Sequence, residues 1–144
     1  MRKTAACLLF DTKKRVLLMH RTFDAPVDPD YWGFFGGGLE KGETVLIAAK
    51  RELMEELGII SEMYKFKTFH QTDRRGEVIS HVFIGKLNYS VEQLKVQQKE
   101  GQGLGIFSLA DLKSTDILIE KNDILIIEEV IKSGRLEKLL FNQK

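Results

Sequence analysis

The amino-acid sequence predicts a mixed α/β domain built from β-hairpins rather than from a regular alternation of strands and helices. Short apolar runs separated by turn residues predict strands, and residues 44–57 and 122–132 have helical spacing of apolar side chains. No repeat, linker or low-complexity tract divides the 144 residues. Since this length is usual for one domain, we expect a single domain over residues 1–144.

The first third of the chain predicts a hairpin and a short aromatic strand. Apolar residues 8–10 and 16–19 flank the basic segment 11–15, which is typical of a hairpin with an exposed tip. Residues 24–30 contain both prolines of the chain and three acids, so we expect a surface loop there. Residues 31–35 then predict a strand that leads into a run of three glycines.

The remaining elements are a central helix, three strands and a closing helix. Residues 44–57 favour helix, and Gly58 follows them where a C-terminal capping glycine belongs. The predicted strands span 64–71, 78–89 and 106–109, a polar and glycine-punctuated loop with room for one short element covers 91–105, and the last helix covers 122–132.

Composition and charge exclude several classes of protein. The chain has 22 Lys and Arg against 21 Asp and Glu, and this balance does not favour a nucleic-acid or membrane-surface binder. We therefore expect no DNA partner and no membrane association, since no apolar run approaches the ~18 residues of a membrane span. Cys7 is the only cysteine, so no internal disulfide can form and we expect a cytoplasmic protein.

Three glutamates in the predicted central helix indicate a metal site. Glu52, Glu55 and Glu56 are spaced i, i+3 and i+4, so their carboxylates lie on one helical face. Two carboxylates 4 Å apart repel by about 4 kcal/mol at an effective dielectric constant near 20. A hard divalent cation such as Mg²⁺ or Mn²⁺ would make this crowding favourable. The alternative is a solvated acidic face on which Arg51 pairs with Glu55.

The glycines before the helix indicate that a ligand approaches the backbone closely. Residues 36–38 are all glycine, and Glu43 follows them shortly before the helix begins. Glycine permits positive φ and close approach, so the carbonyl groups can bind a metal and the amides can face phosphate oxygens. The alternative is a flexible turn.

Taken together, these residues form one extended motif. Gly37 is followed after five residues by Glu43 and, after seven more, by residues 51–59, Arg-Glu-Leu-Met-Glu-Glu-Leu-Gly-Ile. This arrangement resembles the Nudix box at every defining position. The resemblance implies the Nudix fold, a mixed β-sheet sandwiched between helices. It also implies a Mg²⁺-dependent hydrolase, with Mn²⁺ as a possible substitute. Such an enzyme cleaves a diphosphate linkage in a nucleoside diphosphate derivative or a nucleoside triphosphate, which are small nucleotides, by attack of water at phosphorus.

The resemblance also implies a role for each polar residue of the motif. Arg51 is expected to orient the carboxylates, with Glu43 as its partner. The general base is Glu52 or, as in other branches of the family, Glu100, for which a solvated loop position is the alternative. Residues 99–112 are similar to those of MutT-like members, in which an acid on this loop joins the metal site. The expected metal ligands are the Gly37 carbonyl, Glu52, Glu55, Glu56 and Glu100.

Substrate contacts are expected around the aromatic strand. Trp32 and Phe34 share one strand face, and we expect that face to stack on a base or to line the cleft, unless it forms core instead. Arg21 is a candidate for contact with phosphate, with an ordinary surface role as its alternative. The backbone at Gly38 is a further candidate. Phe35 stands where many family members have proline, which leaves the base and the sugar of the substrate open.

Parts of this sequence also suggest other functions. The segment around Gly37 has the outline of a P-loop, but Glu43 stands where the phosphate-binding lysine belongs. Isoprenoid diphosphate isomerases need a cysteine just ahead of the box, and Cys7 lies too far upstream. The alternatives that remain are an RNA 5′-pyrophosphohydrolase, a nucleotide-sugar hydrolase, and a sensor that binds nucleotides without cleaving them. A homodimer is possible by analogy with relatives.

Overall fold

A mixed β-sheet lies between two layers of helices in the computed structural model, which describes residues 1–26, 28–73, 75–114 and 116–141. The predicted fold class is therefore confirmed. The strands are β1 (Arg2–Phe10), β2 (Val16–His20), β3 (Trp32–Gly33), β4 (Phe35–Gly38), β5 (Tyr64–Asp73), β6 (Gly76–Lys86) and β7 (Gly103–Phe107). The helices are α1 (Val45–Leu57), α2 (Val91–Gln97), α3 (Leu109–Leu112), α4 (Lys121–Lys132) and α5 (Arg135–Phe141).

Strand β1 is the centre of the sheet. It pairs antiparallel with β2 and β4 and parallel with β6, while β5 continues the sheet beyond β6 and β7 pairs with β2. Its side chains alternate between two hydrophobic cores, which explains why it is apolar almost throughout. Ala5, Cys7 and Leu9 pack towards α1, and Ala6, Leu8 and Phe10 pack towards α4.

Helix α1 begins and ends almost where the sequence predicts. The hydroxyl of Thr44 accepts a hydrogen bond from the Ile47 amide at 3.2 Å, and Gly58 adopts φ 66° beyond the last turn. These are the usual caps of a helix, since both satisfy backbone groups that the helix leaves free. The buried face of α1 consists of Ala48, Ala49, Leu53, Glu56 and Leu57, so one of the three clustered glutamates points inwards.

The sequence predicts one aromatic strand over residues 31–35, and this prediction is wrong in one respect. The structure breaks the strand at Phe34 into β3 and β4. Residues before the break pair with β2, in the register Met19 opposite Gly33, while residues after it pair with β1. The two halves change partners because β1 and β2 are hydrogen-bonded to each other only near their connecting turn. The break brings the three glycines alongside β1.

The segment between β6 and α3 is more regular than predicted. Residues 91–97 form α2, whose first turn has a capping box in which Ser90 and Gln93 exchange side-chain and backbone hydrogen bonds. The Ser-x-x-Gln spacing is a sequence signature of this cap. β7 then begins at Gly103, three residues before the predicted strand, because it pairs along the whole of β2.

The chain closes with two helices rather than one. Helix α4 fits the prediction, but Gly134 adopts φ 81° and turns the chain into α5, which the sequence analysis missed. Leu136 and Leu140 of α5 are buried in the core on the α4 side of the sheet. No helix in the described part of the chain combines the length and the apolar character that crossing a membrane requires.

Two neighbouring positions in α1 test this packing. Leu53 is 1% exposed whereas Met54 is 42% exposed. We expect Leu53→Ala to lower the free energy of unfolding by about 2–5 kcal/mol, because it opens a cavity in the α1-side core. Met54→Ala is the matched control and should cost less than about 1 kcal/mol. Urea unfolding measures both, and equal losses would contradict the assigned packing.

Candidate active site

The glutamates of α1 meet the glycines of β4. The carboxylate of Glu56 is 1% exposed and accepts a hydrogen bond from the Gly36 amide at 2.8 Å. One turn earlier, the carboxylate of Glu52 lies over Gly37, where an added Cβ would come within 2.6 Å of its Oε1. Glu55 points away and has a side chain that is 56% exposed. The structure therefore places two of the three acids against the glycine backbone.

The two glycines differ in what a side chain would meet. Gly36 adopts φ 135°, and an added Cβ would lie 2.1 Å from the carbonyl oxygen of Ala5. No L-residue fits such a position without moving backbone. At Gly37 the obstacle is only the end of the Glu52 side chain. The glycine run thus lets the catalytic candidates approach the strand directly.

Burial and mutual repulsion raise the pKa of both acids, which disfavours their ionised form in the absence of a cation. Burial raises the pKa of Glu56 to about 9, and the nearby charges of Glu100 and Glu52 raise it further, although the Gly36 amide opposes the shift. The pKa of Glu52 is also raised, mainly by burial, while Arg51 lowers it. Carboxylates in this state favour binding a proton or a cation.

Arg51 organises the acids that face away from the core. Its guanidinium donates two hydrogen bonds to Glu43, at 2.6 and 2.9 Å, in a bidentate arrangement. It also donates to Glu52 at 3.0 Å, to Glu55 at 3.1 Å and to the Gly38 carbonyl at 3.0 Å. The structure therefore brings Arg51 and Glu43 together as the sequence analysis expected, and Arg51 links the helix to the glycine loop.

The donor chemistry of this cluster fits a hard divalent cation. Within the described ranges, no three Asp, Glu, His or Cys side chains converge closely enough to hold an ion as they stand. Arg51 accounts for this, since it draws Glu52 and Glu55 towards Glu43. Nevertheless the carboxylates are oxygen donors, and the repulsion between Glu52, Glu56 and Glu100 would be relieved by a cation.

The loop between α2 and β7 carries Glu100 to the site. The backbone amide of Lys99 donates to the Glu56 carbonyl at 2.8 Å, which ties this loop to the last turn of α1. The side-chain amide of Gln98 donates to the carbonyls of Glu100 and Gly103 at 2.7 and 2.8 Å. The Glu100 carboxyl lies near enough to raise the pKa of Glu56. An exposed loop acid is thereby held beside a buried helical acid.

A cavity of about 850 Å³ opens beside Gly36 and Gly37 and extends to the start of α4. Its volume is in the range of about 300–1,000 Å³ that is usual for small-molecule sites. Phe34 and Arg21 line it, as the sequence analysis proposed for contacts with substrate. Further lining residues were missed, namely Asp28, Tyr31, Asn122 and Asp123. Nothing in the sequence marked them, because they lie at no fixed spacing from the motif.

The other two proposed substrate contacts lie outside this cavity. Trp32 is stacked on His20 at a centroid distance of 4.5 Å and meets the edge of Phe107 at 4.8 Å, and it packs on the α4-side core. In the described structure, Trp32 therefore packs against other side chains and does not line the first cavity. Gly38 lines a second cavity, and its carbonyl accepts from Arg51.

Asp123 is the most perturbed group at the far end of the first cavity. Burial raises its pKa to about 7, Arg21 acts in the opposite direction, and the charges of Glu120 and Asp28 raise it. The Arg21 guanidinium is itself packed over Gly33, within 2.5–2.6 Å of where a Cβ would stand. A carboxyl that titrates near neutral pH can donate as well as accept a hydrogen bond.

Known proteins share this fold and motif. A family model described as NUDIX domain matches residues 1–127. The nucleoside triphosphatase NudI of Enterobacter sp. (strain 638) is 39% identical over 56 residues, which are 39% of this chain and 40% of that protein. The match thus spans about two fifths of this curated relative's length.

Solved structures agree in fold at low sequence identity. The MutT protein from Methanosarcina mazei Go1 has a TM-score of 0.78 at 19% identity, covering 93% of this chain and 95% of that one. The NUDIX domain of Shewanella oneidensis NrtR, crystallised with ADP ribose, has a TM-score of 0.73 at 19% identity, covering 91% and 86%. These similarities show the fold.

Substitutions at two adjacent glycines distinguish a structural role, at Gly36, from a functional role, at Gly37. Gly36→Ala should destabilise the protein by about 1–3 kcal/mol, because its Cβ would meet the Ala5 carbonyl in a strained backbone. Gly37→Ala should leave the unfolding midpoint nearly unchanged but weaken Mg²⁺ binding, because it displaces the Glu52 carboxylate. Thermal unfolding and calorimetric Mg²⁺ titration measure these effects. Two variants with the same profile would refute the distinction.

The raised pKa of Asp123 predicts a pH-dependent stability. The unfolded chain releases this proton near pH 4, whereas the folded chain holds it to about pH 7, so wild-type stability falls as pH rises between those values. Asp123→Asn removes this loss, and its melting temperature relative to wild type should increase from pH 5 to pH 8. The exposed Asp24→Asn is the control. An offset that does not vary with pH would contradict the assignment.

Proposed function

The chain belongs to the Nudix family, and we propose that it is a hydrolase that cleaves a diphosphate linkage in a nucleotide by attack of water at phosphorus. The observation that carries this proposal is the contact of Glu56 with the Gly36 amide and of Glu52 with Gly37, since these two glycines also line the 850 Å³ cavity. A substrate in that cavity would reach the acidic cluster with its phosphates.

A divalent cation fits the acidic cluster, and Mg²⁺ is our first choice, with Mn²⁺ as a substitute. When bound, it would neutralise the diphosphate and lower the pKa of the attacking water. The residues that would hold it are the Gly37 carbonyl, Glu52, Glu55, Glu56 and Glu100. Glu56 is fixed by the Gly36 amide, so it contributes a donor whose position is set before any ligand arrives.

The chain's own residues then have distinct tasks. Glu52 is the proposed general base: its carboxylate takes the proton of the water as the new oxygen–phosphorus bond forms and the bridging bond breaks. Its pKa is raised mainly by burial, which makes it a stronger base. Arg51 acts through Glu52 and is a positioning residue. Glu100 is the alternative base, since it also reaches the cluster.

The first cavity fits a nucleoside. Phe34 and Tyr31 offer aromatic surface, while Asn122 and Asp123 offer an amide and a carboxyl that can pair with the edge of a base. Arg21 completes the wall. The relative named as a nucleoside triphosphatase supports a triphosphate as substrate, in which case the products would be a nucleoside monophosphate and pyrophosphate.

A turnover panel tests the proposal. It includes unmodified and oxidised nucleoside triphosphates, nucleotide sugars, ADP-ribose and 5′-triphosphorylated RNA, each with and without Mg²⁺. We expect hydrolysis of at least one of them in the presence of Mg²⁺ only. If the chain binds a member of the panel but hydrolyses none of them, it is a nucleotide sensor, and the proposed activity is overturned.

Glu56→Gln tests the catalytic cluster directly. The amide side chain keeps the size of glutamate and can still accept from Gly36, so the fold should persist. Loss of the carboxylate that would bind the cation should lower kcat by about a hundredfold or more. Initial rates and circular dichroism measure the two effects. Glu92→Gln, an exposed change on α2, is the control and should retain full activity, and near-normal activity of Glu56→Gln would rule out its assigned role.

A further inference from the structure

A second cavity lies on the other side of the glycine run. It has a volume of about 700 Å³ and is formed by the first residues of β1 and by the loop that joins β4 to α1. Gly38 lines it, whereas Gly36 and Gly37 line the first cavity. The two cavities also share Arg2, Thr4 and Arg75 as lining residues. They therefore adjoin each other along the glycine run, whose Gly36 and Gly37 also contact Glu56 and Glu52.

The second cavity has an excess of positive charge. Its two acids, Glu40 and Glu43, both face Arg51, whose guanidinium lies 3.7 Å from the first and 2.6 Å from the second. Three of its cations, Lys3, Lys41 and Arg75, are exposed and form no ion pair with any residue that the structure describes. Arg51 also pairs with Glu52 and Glu55, so it offsets only part of the charge of these two acids. The cations that line the cavity, Arg2, Lys3, Lys41 and Arg75, nevertheless outnumber its acids by four to two.

The positive surface extends from Lys3 onto the adjacent strands. Ala5 of β1 pairs with both Gly37 and His81, so His81 lies two strands from the glycine run on the α1 side of the sheet. Lys65 approaches the His81 ring nitrogen at 3.2 Å. The pKa of His81 is lowered, first by burial and then by the positive charges of Lys65, Lys3 and His70. No acidic residue is among the groups that shift the pKa of His81.

We propose that the second cavity receives the terminal phosphates of a nucleoside triphosphate, and that Lys3, Lys41 and Arg75 bind them as they leave as pyrophosphate. This inference rests on the proposed function and extends it to the identity of the leaving group. The nucleoside occupies the first cavity, the scissile linkage crosses the boundary at Gly37, and the charged leaving group meets the cations.

The charge pattern discriminates between two substrate classes. A nucleotide sugar has a neutral ring where a triphosphate has its γ-phosphate, so cations that bind at this position gain little from the sugar. A triphosphate presents a terminal phosphate with strong acceptor oxygens, and hydrogen bonds between charged partners are the strong ones. The second cavity thus favours triphosphates over nucleotide sugars with the same nucleoside.

Paired kinetics test the inference. Lys3→Gln, Lys41→Gln and Arg75→Gln are each assayed on matched pairs of substrates, such as GTP with GDP-mannose and UTP with UDP-glucose. Each variant should lose about tenfold in kcat/KM on the triphosphate, the loss expected from one charged hydrogen bond, and keep its value on the sugar. Lys50→Gln, an exposed change on α1 that lines neither cavity, should alter neither. Equal losses on both substrates, or no loss on the triphosphate, would overturn the assignment.

A binding measurement separates this inference from the proposed activity. Inorganic pyrophosphate is titrated calorimetrically, with Mg²⁺ present, into the wild-type chain and into the triple variant of Lys3, Lys41 and Arg75. We expect binding to weaken by about a hundredfold or more in the triple variant. An unchanged dissociation constant, or no binding to wild type, would refute the inference even if the chain hydrolyses a nucleotide. Absence of all turnover would refute only the proposed activity.

Discussion

The structure depends on the close approach of α1 to a strand that has no side chains in the way. Glu56 is buried at that contact and is satisfied by the Gly36 amide, while Glu52 fills the space over Gly37. A side chain at Gly36 would meet the Ala5 carbonyl, and one at Gly37 would displace the Glu52 carboxylate. Because a buried carboxylate is costly unless its charge is compensated, the same contact that joins helix and sheet also creates a demand for a cation.

Acidic and basic side chains lie on different sides of the contact between α1 and β4. Acids are concentrated on the α1 side of the glycine run, whereas Lys3, Lys41 and Arg75 surround the cavity beyond Gly38. Arg51 lies between the two regions and forms ion pairs with Glu40, Glu43 and Glu52. A substrate with several phosphates would therefore meet metal-binding oxygens at its reacting centre and cations at its end.

Much of the fold and of the acidic cluster could be predicted, because their signals are local. The caps of α1, the spacing of its glutamates and the glycine run all lie within residues 36–58. The break at Phe34 could not be predicted, since it reflects which strand each half pairs with. The position of Asp123 in the cavity wall and the packing of Trp32 could not be predicted for the same reason, because both depend on contacts between distant segments.

The hydrogen bond from Lys99 to the Glu56 carbonyl has a consequence for motion. That carbonyl belongs to the final turn of α1, where no amide of the helix itself is available to it. If the loop swung away, the oxygen would lose its partner, so displacement of the loop carries a cost of about 1 kcal/mol before any other contact is counted. The loop consequently holds Glu100 near the acidic cluster before any ligand binds, so the loop needs to move little when a ligand enters.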